Sequence, residues 1–134
     1  MGILIDTSVL IAAERGQIDL YGRIQEAGAK EPSSLSAITA SELLHGIWRA
    51  VDPSLRARRT AFVEALLREL PVIEIDLAVA RIHAQIWAEQ QAAGQVIGPH
   101  DLWLAATCIA HGFRIVTRNV REFERIPGLQ VERW

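Results

Sequence analysis

The chain has 134 residues, 50% of them hydrophobic, and a net charge of −2. This length is enough for one domain with its own core, and the composition excludes a disordered chain, so we expect a single domain over residues 1–134. No apolar run approaches the roughly 18 residues of a membrane span, no secretory signal is visible, and the negative charge excludes a broadly basic nucleic-acid-binding surface.

The single cysteine, Cys108, excludes an internal disulfide and a cysteine-cluster zinc site. It falls within a helical apolar pattern, which favours a place in the core. Together with the missing signal and membrane segments, this cysteine usage predicts a reducing, cytoplasmic location and no membrane partner.

Strand-like and helix-like patterns follow one another along the chain. Short apolar runs, turn residues and apolar positions at helical spacing mark the boundaries, with Thr39 or Ser41 as the expected cap of the third helix. Strands are expected at residues 3–6, 34–39, 71–75, 114–117 and 129–133, and helices at 7–15, 18–27, 41–51, 53–70, 77–93 and 102–112.

This alternation predicts an α/β fold with a parallel sheet covered by helices on both faces. The runs "ILI", "VIEI" and "RIV" are nearly continuous in apolar residues, as strands buried on both sides are. Ligands of such sheets bind beyond the carboxyl ends of the strands. Asp6 and Thr117 lie at two of these ends, and Asn119 follows closely.

Three acids lie where a strand ends or a helix begins: Asp6 after the first strand, Glu42 in the expected first turn of "SELLHG", and Asp101 at the start of the helix after "GPHD". For Glu42 and Asp101, each taken singly, helix capping or interaction with the helix dipole is the more ordinary explanation. Asp6 is harder to explain in this way, because Thr7 or Ser8 could already cap the first helix.

If the three carboxylates converge, their repulsion requires a partner. Two like charges about 5 Å apart cost roughly 3 kcal/mol at an effective dielectric constant near 20. Three such pairs would rival the total stability of a small domain, about 5–15 kcal/mol. Either some acids are protonated or a hard divalent cation such as Mg²⁺ binds among them.

Four ordered motifs resemble the PIN-domain family, and more closely the VapC-type toxins of bacterial VapBC toxin–antitoxin pairs. The motifs span residues 3–132 and read "LIDTSVLI", "ITASELLHG", "IGPHDLWLAATCIAHG" and "IVTRNVREFERIPGLQVE". The resemblance implies a PIN-like three-layer α/β/α domain with a mainly parallel central sheet. It also implies an endoribonuclease that depends on Mg²⁺, which Mn²⁺ can replace.

The resemblance assigns residues to the site by position. Asp6, Glu42 and Asp101 match three acids of the family's metal-binding cluster, and Asn119 takes the fourth, often acidic, position. Asparagine brings an oxygen without a charge, so the number of metal ions, one or two, stays open. Thr117 resembles a hydroxyl residue that orders the site, and Ser8 either binds a carboxylate or metal-bound water or caps the helix.

These assignments imply a mechanism in which a metal held by Asp6 and Asp101 activates a water molecule that attacks a phosphodiester bond. Glu42 would orient or deprotonate that water, or complete the shell of a second ion. Arg15, Arg118 and Arg121 either hold flanking phosphates or are solvated surface residues, and the two readings are equally ordinary.

The resemblance further implies three partners: RNA as substrate, a VapB-type antitoxin that places an arginine among the acids, and a second copy in a homodimer. The helical tryptophans Trp48, Trp87 and Trp103 serve either the core or such interfaces. The alternative function is a non-catalytic PIN-type module that binds RNA or protein. A two-histidine ribonuclease is disfavoured, because His45, His83 and His111 fall at ordinary helical positions and only His100 adjoins a candidate acid.

Overall fold

The structure is a computed structural model that describes residues 1–134. The strands are β1 (Ile3–Ile5), β2 (Ser33–Ser36), β3 (Val72–Ile73), β4 (Arg114–Thr117) and β5 (Val131–Arg133). The helices are α1 (Thr7–Glu14), α2 (Leu20–Ala27), α3 (Ala37–Arg49), α4 (Pro53–Glu69), α5 (Leu77–Ala92), α6 (Pro99–His111) and α7 (Val120–Phe123).

The five strands form one all-parallel sheet in the order β3-β2-β1-β4-β5. The chain builds the sheet outward from β1 through β2 to β3 and then returns to place β4 on the other side of β1. The strand order therefore reverses between β1 and β4, where Leu4 pairs with Ile115 and Ile5 with Val116. In open α/β sheets this switch point opens a crevice beyond the strand ends, which is where ligands bind.

Two hydrophobic clusters cover the two faces of the sheet. Ile3 and Ile5 of β1 belong to the cluster with α1, α2, α3 and α4, and Leu4 belongs to the cluster with α5, α6 and α7. Successive strand residues point to opposite faces, so this division follows from the period of two. All three side chains are fully buried, which confirms the α/β/α layers and the sheet covered on both sides.

The boundary between β2 and α3 differs from the prediction. The strand ends at Ser36, and α3 begins at Ala37 because the Ser36 hydroxyl accepts the Ile38 N–H (3.1 Å) as an N-cap. The β-branched Ile38 and Thr39 look like strand residues in sequence, but both are helical. Glu42 is therefore the sixth residue of α3 and lies beyond its first turn, so capping does not explain this acid.

Smaller differences occur elsewhere. The strand predicted at residues 71–75 contains only two paired residues, and the helix predicted at 102–112 begins earlier, at Pro99, a residue pre-organised for the first helical turn. The single-turn helix α7 was not predicted. None of the seven helices combines the length and hydropathy that crossing a membrane requires.

Candidate active site

Asp6 ends β1 and is held by hydroxyl groups from two different elements. Its carboxylate oxygen Oδ2 accepts hydrogen bonds from Ser8 Oγ (2.6 Å) and Thr117 Oγ1 (2.7 Å), and the residue is 4% exposed. Although Asp6 stands at the N-cap position of α1, its side chain makes no capping hydrogen bond. The buried acid that interrupts the first apolar run is thus fixed in place by two hydroxyl groups at the switch point.

The backbone after β4 fixes the direction of these hydrogen bonds. Ser8 Oγ accepts the Arg118 N–H (3.1 Å) and Thr117 Oγ1 accepts the Asn119 N–H (2.9 Å). Each hydroxyl therefore has its acceptor side engaged and directs its single proton to Asp6. The predicted ordering role of Thr117 and the carboxylate contact of Ser8 agree with this geometry.

Glu42 reaches the same edge of the sheet from α3. Its Oε1 accepts a hydrogen bond from Thr7 Oγ1 (3.2 Å) and lies 3.3 Å from His100 Nδ1. The Glu42 side chain is 30% exposed, so one part is fixed by its neighbours while solvent reaches the rest. This position suits a group that contacts water or a ligand.

Asp101 lies in the first turn of α6 and makes no capping hydrogen bond there. Its pKa is raised to about 7, first by burial and then by the negative charges of Asp6, Glu122 and Glu42, with a hydrogen bond to Glu122 adding to the effect. These charges act on Asp101 only because the acids lie near one another. The structure therefore places Asp6, Glu42 and Asp101 near one another, and their roles in metal binding and catalysis stay predictions.

Glu122 is the residue that the sequence analysis missed. It lies on α7, and its Oε1 accepts the Gly98 N–H (2.7 Å). A Cβ built on Gly98 would lie 3.6 Å from both Glu122 Oε1 and Asp101 Oδ2, so the two carboxylates approach the same point of the α6 N-terminus. The available signal was position: Glu122 follows the end of β4 by five residues, at the strand edge where ligands bind.

Asn119, the predicted fourth site residue, is exposed and precedes α7. Its backbone N–H binds Thr117, and its side chain makes no hydrogen bond to any of the acids. The fourth carboxylate beside Asp101 is supplied by Glu122. A ligand role for Asn119 stays a prediction.

The donor atoms of the acid cluster, which we define as Asp6, Glu42, Asp101 and Glu122, are all oxygens. This set suits a hard divalent ion, because Mg²⁺ takes one or two carboxylates and keeps several waters. No three His, Cys, Asp or Glu side chains are gathered tightly enough to enclose an ion by themselves. The oxygen donors are of the kind that a hydrated Mg²⁺ takes, and a metal site among them stays a prediction.

The histidines and tryptophans occupy other surroundings. His83 is buried against Trp103, with ring centroids 3.6 Å apart, and burial lowers its pKa, so it belongs to the α5–α6 packing. Trp48 and Trp87 are 75% and 52% exposed. Of the predicted phosphate-binding arginines, Arg118 directs its guanidinium to the Trp134 carbonyl oxygen at 3.5 Å.

The comparisons with known proteins agree with this geometry. The sequence profile of the PIN domain matches residues 3–129. Ribonuclease VapC1 of Rickettsia felis is 33% identical to this chain, over 98% of the chain and 95% of its own length. The chain is a PIN-domain protein of the VapC ribonuclease family.

Other VapC proteins extend this relation. The tRNA(fMet)-specific endonuclease VapC of Salmonella typhimurium is 38% identical over 75% of this chain and 74% of its own length. A solved structure of DNA-bound VapBC from Salmonella typhimurium covers the whole chain with a TM-score of 0.89 and 31% identity, and 98% of that chain is matched. VapBC2 from Rickettsia felis, bound to a promoter DNA fragment, has a TM-score of 0.91 at 24% identity, which confirms the PIN fold.

Proposed function

We propose that the protein is a metal-dependent endoribonuclease that acts as the toxin of a toxin–antitoxin pair and cleaves cellular RNA with metal-activated water. The observation that carries the proposal is the convergence of four acids, which follow β1 or lie on α3, α6 and α7, at the switch point of the sheet. Because of this convergence, the charges of the other three acids contribute to the raised pKa of Asp101. Membership of the VapC ribonuclease family supports the reaction class.

The cofactor that we propose is Mg²⁺, with Mn²⁺ as a possible substitute. Asp6, Asp101 and Glu42 would hold it, with Glu122 beside them. When bound, such an ion polarises the scissile phosphate and lowers the pKa of a water ligand. The oxygen-only donor set supports this assignment.

The protein's own residues would position the reaction. Ser8 and Thr117 keep the Asp6 carboxylate fixed and stabilise its negative charge with two hydroxyl protons. Glu42, held by Thr7 on one side and open to solvent on the other, would orient the attacking water or take its proton. Attack by water, and not by the RNA 2′-hydroxyl, would leave a 5′-phosphate and a 3′-hydroxyl.

We also propose a VapB-type antitoxin as partner, a homodimer as the assembly, a cytoplasmic location and one domain over residues 1–134. The relatives named above include VapBC assemblies. The exposed Trp48 and Trp87 supply aromatic surface of the kind enriched at interfaces. An arginine from an antitoxin would suit the acid cluster for the electrostatic reason that favours a cation.

The test is an RNA cleavage assay with the purified protein and added Mg²⁺ or Mn²⁺, with EDTA and Asp6→Asn as controls. We expect cleavage by the wild-type protein alone, with 5′-phosphate ends. Equal cleavage by Asp6→Asn would indicate a contaminating nuclease. RNA binding without any cleavage would support the alternative, a non-catalytic PIN-type binding module.

A further inference from the structure

An open cleft of about 910 Å³ begins at Glu42, one residue of the acid cluster, and extends over α1, α3 and α4. Thr7, Glu42 and His100 line its acidic end. Glu42, His45 and Arg49 of α3 line it at intervals of three and four positions, so one face of this helix forms part of the wall.

Arginines dominate the rest of this wall. Arg15, Arg49, Arg58 and Arg59 line the cleft, against only two glutamates, although the whole chain is negatively charged. Arg59 is engaged, since it lies 3.4 Å from Glu14 and donates to the Gly46 carbonyl oxygen.

The other three arginines have no such partners. Arg15, Arg49 and Arg58 are exposed, and their guanidinium groups make no hydrogen bond or ion pair within the chain. Like charges in one concave surface repel each other, so a ligand with several negative charges is favoured there.

We propose that this arginine cleft binds the single-stranded flank of the RNA substrate through its backbone phosphates, with Arg15, Arg49 and Arg58 as the phosphate ligands. Glu42 and Arg49 are seven residues apart on α3, which is about 10 Å of axial rise, so Arg49 contacts a phosphate next to the scissile one. Phe62 and His45 line the same wall, and aromatic side chains in single-strand binding sites stack with unpaired bases. This inference rests on the proposed function and locates its substrate.

The cleft also resolves an apparent conflict in charge. A chain of net charge −2 with an acid cluster repels RNA overall. Phosphate contacts supply most of the sequence-independent affinity of nucleic-acid binding proteins. A local group of unpaired arginines beside the acids can supply that affinity without changing the overall charge.

The test compares two triple variants that remove the same charge. The cleft variant is Arg15→Ala/Arg49→Ala/Arg58→Ala, and the control is Arg23→Ala/Arg68→Ala/Arg81→Ala, which removes three exposed arginines outside the cleft. Binding of a fluorescein-labelled single-stranded RNA is measured by anisotropy over a range of KCl concentrations, with Asp6→Asn in every protein so that the RNA stays intact.

We expect the cleft variant to bind at least about tenfold more weakly and the control to stay within about twofold of the parent. The slope of log affinity against log salt should fall by about 2, because each lost phosphate contact removes about 0.7 for single strands. In proteins that retain Asp6, the cleft variant should need more enzyme for half-maximal single-turnover cleavage than the control variant does.

Equal affinity of the two triple variants would overturn the proposal. So would a cleft variant that binds RNA normally but is no longer neutralised by the cognate antitoxin, since the cleft would then belong to that protein. If the wild-type protein cleaves no RNA, the proposed function fails, whereas the binding comparison still reports on the cleft.

Discussion

Asp6 and Asp101 lie in the same acid cluster, but the protein surrounds them in opposite ways. Asp6 receives two hydroxyl protons from Ser8 and Thr117. Asp101 faces other carboxylates, and burial with their charge raises its pKa to about 7. One carboxylate thus accepts two hydroxyl hydrogen bonds, whereas the other is surrounded by like charges. The difference indicates that a bound cation would act mainly on the Asp101 side.

The largest expected effect is on catalysis. Asp6→Asn keeps the shape of the side chain but removes its charge, and we expect the rate of RNA cleavage to fall at least about a hundredfold. The same change removes the second-largest cause of the raised Asp101 pKa, so that pKa should move down. Cleavage rates and the NMR titration of the Asp101 carboxyl measure the two effects, and an unchanged Asp101 pKa would contradict the convergence of the two acids.

Thr117→Val tests the hydroxyl hydrogen bonds that hold the Asp6 carboxylate. The change removes one proton donor from Asp6 and leaves the Asn119 N–H without its acceptor, so the free energy of unfolding should fall by about 1–3 kcal/mol. Activity should fall about tenfold, as with other groups that orient metal ligands. Urea denaturation and cleavage rates provide the measurements.

Thr107→Val is the matched control for this variant. Thr107 is fully buried, and its hydroxyl donates to the Trp103 carbonyl oxygen within α6, away from the acids. We expect the rate of RNA cleavage to stay unchanged and the free energy of unfolding to fall by less than about 1 kcal/mol. An equal loss of activity in both variants would show that the Thr117 effect is general and does not act through Asp6.

The stability of the metal-free protein should depend on pH through Asp101. Its pKa in the folded state is about 7, above the ordinary value of 3.8, so the folded state binds more protons than the unfolded one between these values. Its contribution to stability is therefore lost as pH rises from about 4 to 7. Because Asp101 is only half-buried, solvent screens its interactions, and we expect the free energy of unfolding to fall by about 1–2 kcal/mol over this pH range.

Asp101→Asn should remove this pH dependence and unfold at higher urea than the wild type at pH 7.5 in EDTA, with the advantage shrinking at pH 5. The exposed Glu64→Gln serves as the control. If the two variants show the same change between pH 5 and pH 7.5, then Asp101 does not carry the effect.

The smallest effect concerns the start of α3, which determines where Glu42 lies. Ser36→Ala removes the N-cap of this helix and should lower the free energy of unfolding by about 1 kcal/mol. Ser41→Ala changes one of the two caps suggested by the sequence, and we expect it to lower the free energy of unfolding by less than about 0.5 kcal/mol. Thermal unfolding of both variants measures the difference, and the reverse order would contradict the observed helix start.

The sequence was sufficient for residues whose position depends on local pattern. Asp6 follows one apolar strand and Thr117 ends another, and parallel strands bring their carboxyl ends to one edge, so their proximity was predictable. The all-parallel sheet and its two covered faces were predictable for the same reason, because continuous apolar strands alternate with amphipathic helices.

Glu122 and the start of α3 depended on information that local pattern does not contain. Glu122 meets Asp101 only because the loop before α6 brings Gly98 to α7, a tertiary contact between segments 24 residues apart. The α3 boundary depended on Ser36, whose capping hydroxyl outweighed the strand preference of Ile38 and Thr39.

The most direct test of the account is calorimetric titration of metal-free protein with Mg²⁺ and Mn²⁺ at pH 7, in buffers of different ionisation enthalpy. We predict saturable binding that releases protons, since a cation beside Asp101 favours its ionised form, and much weaker binding by Asp101→Asn. Absence of binding, with and without RNA, would contradict the claim that the converging acids form a cation site.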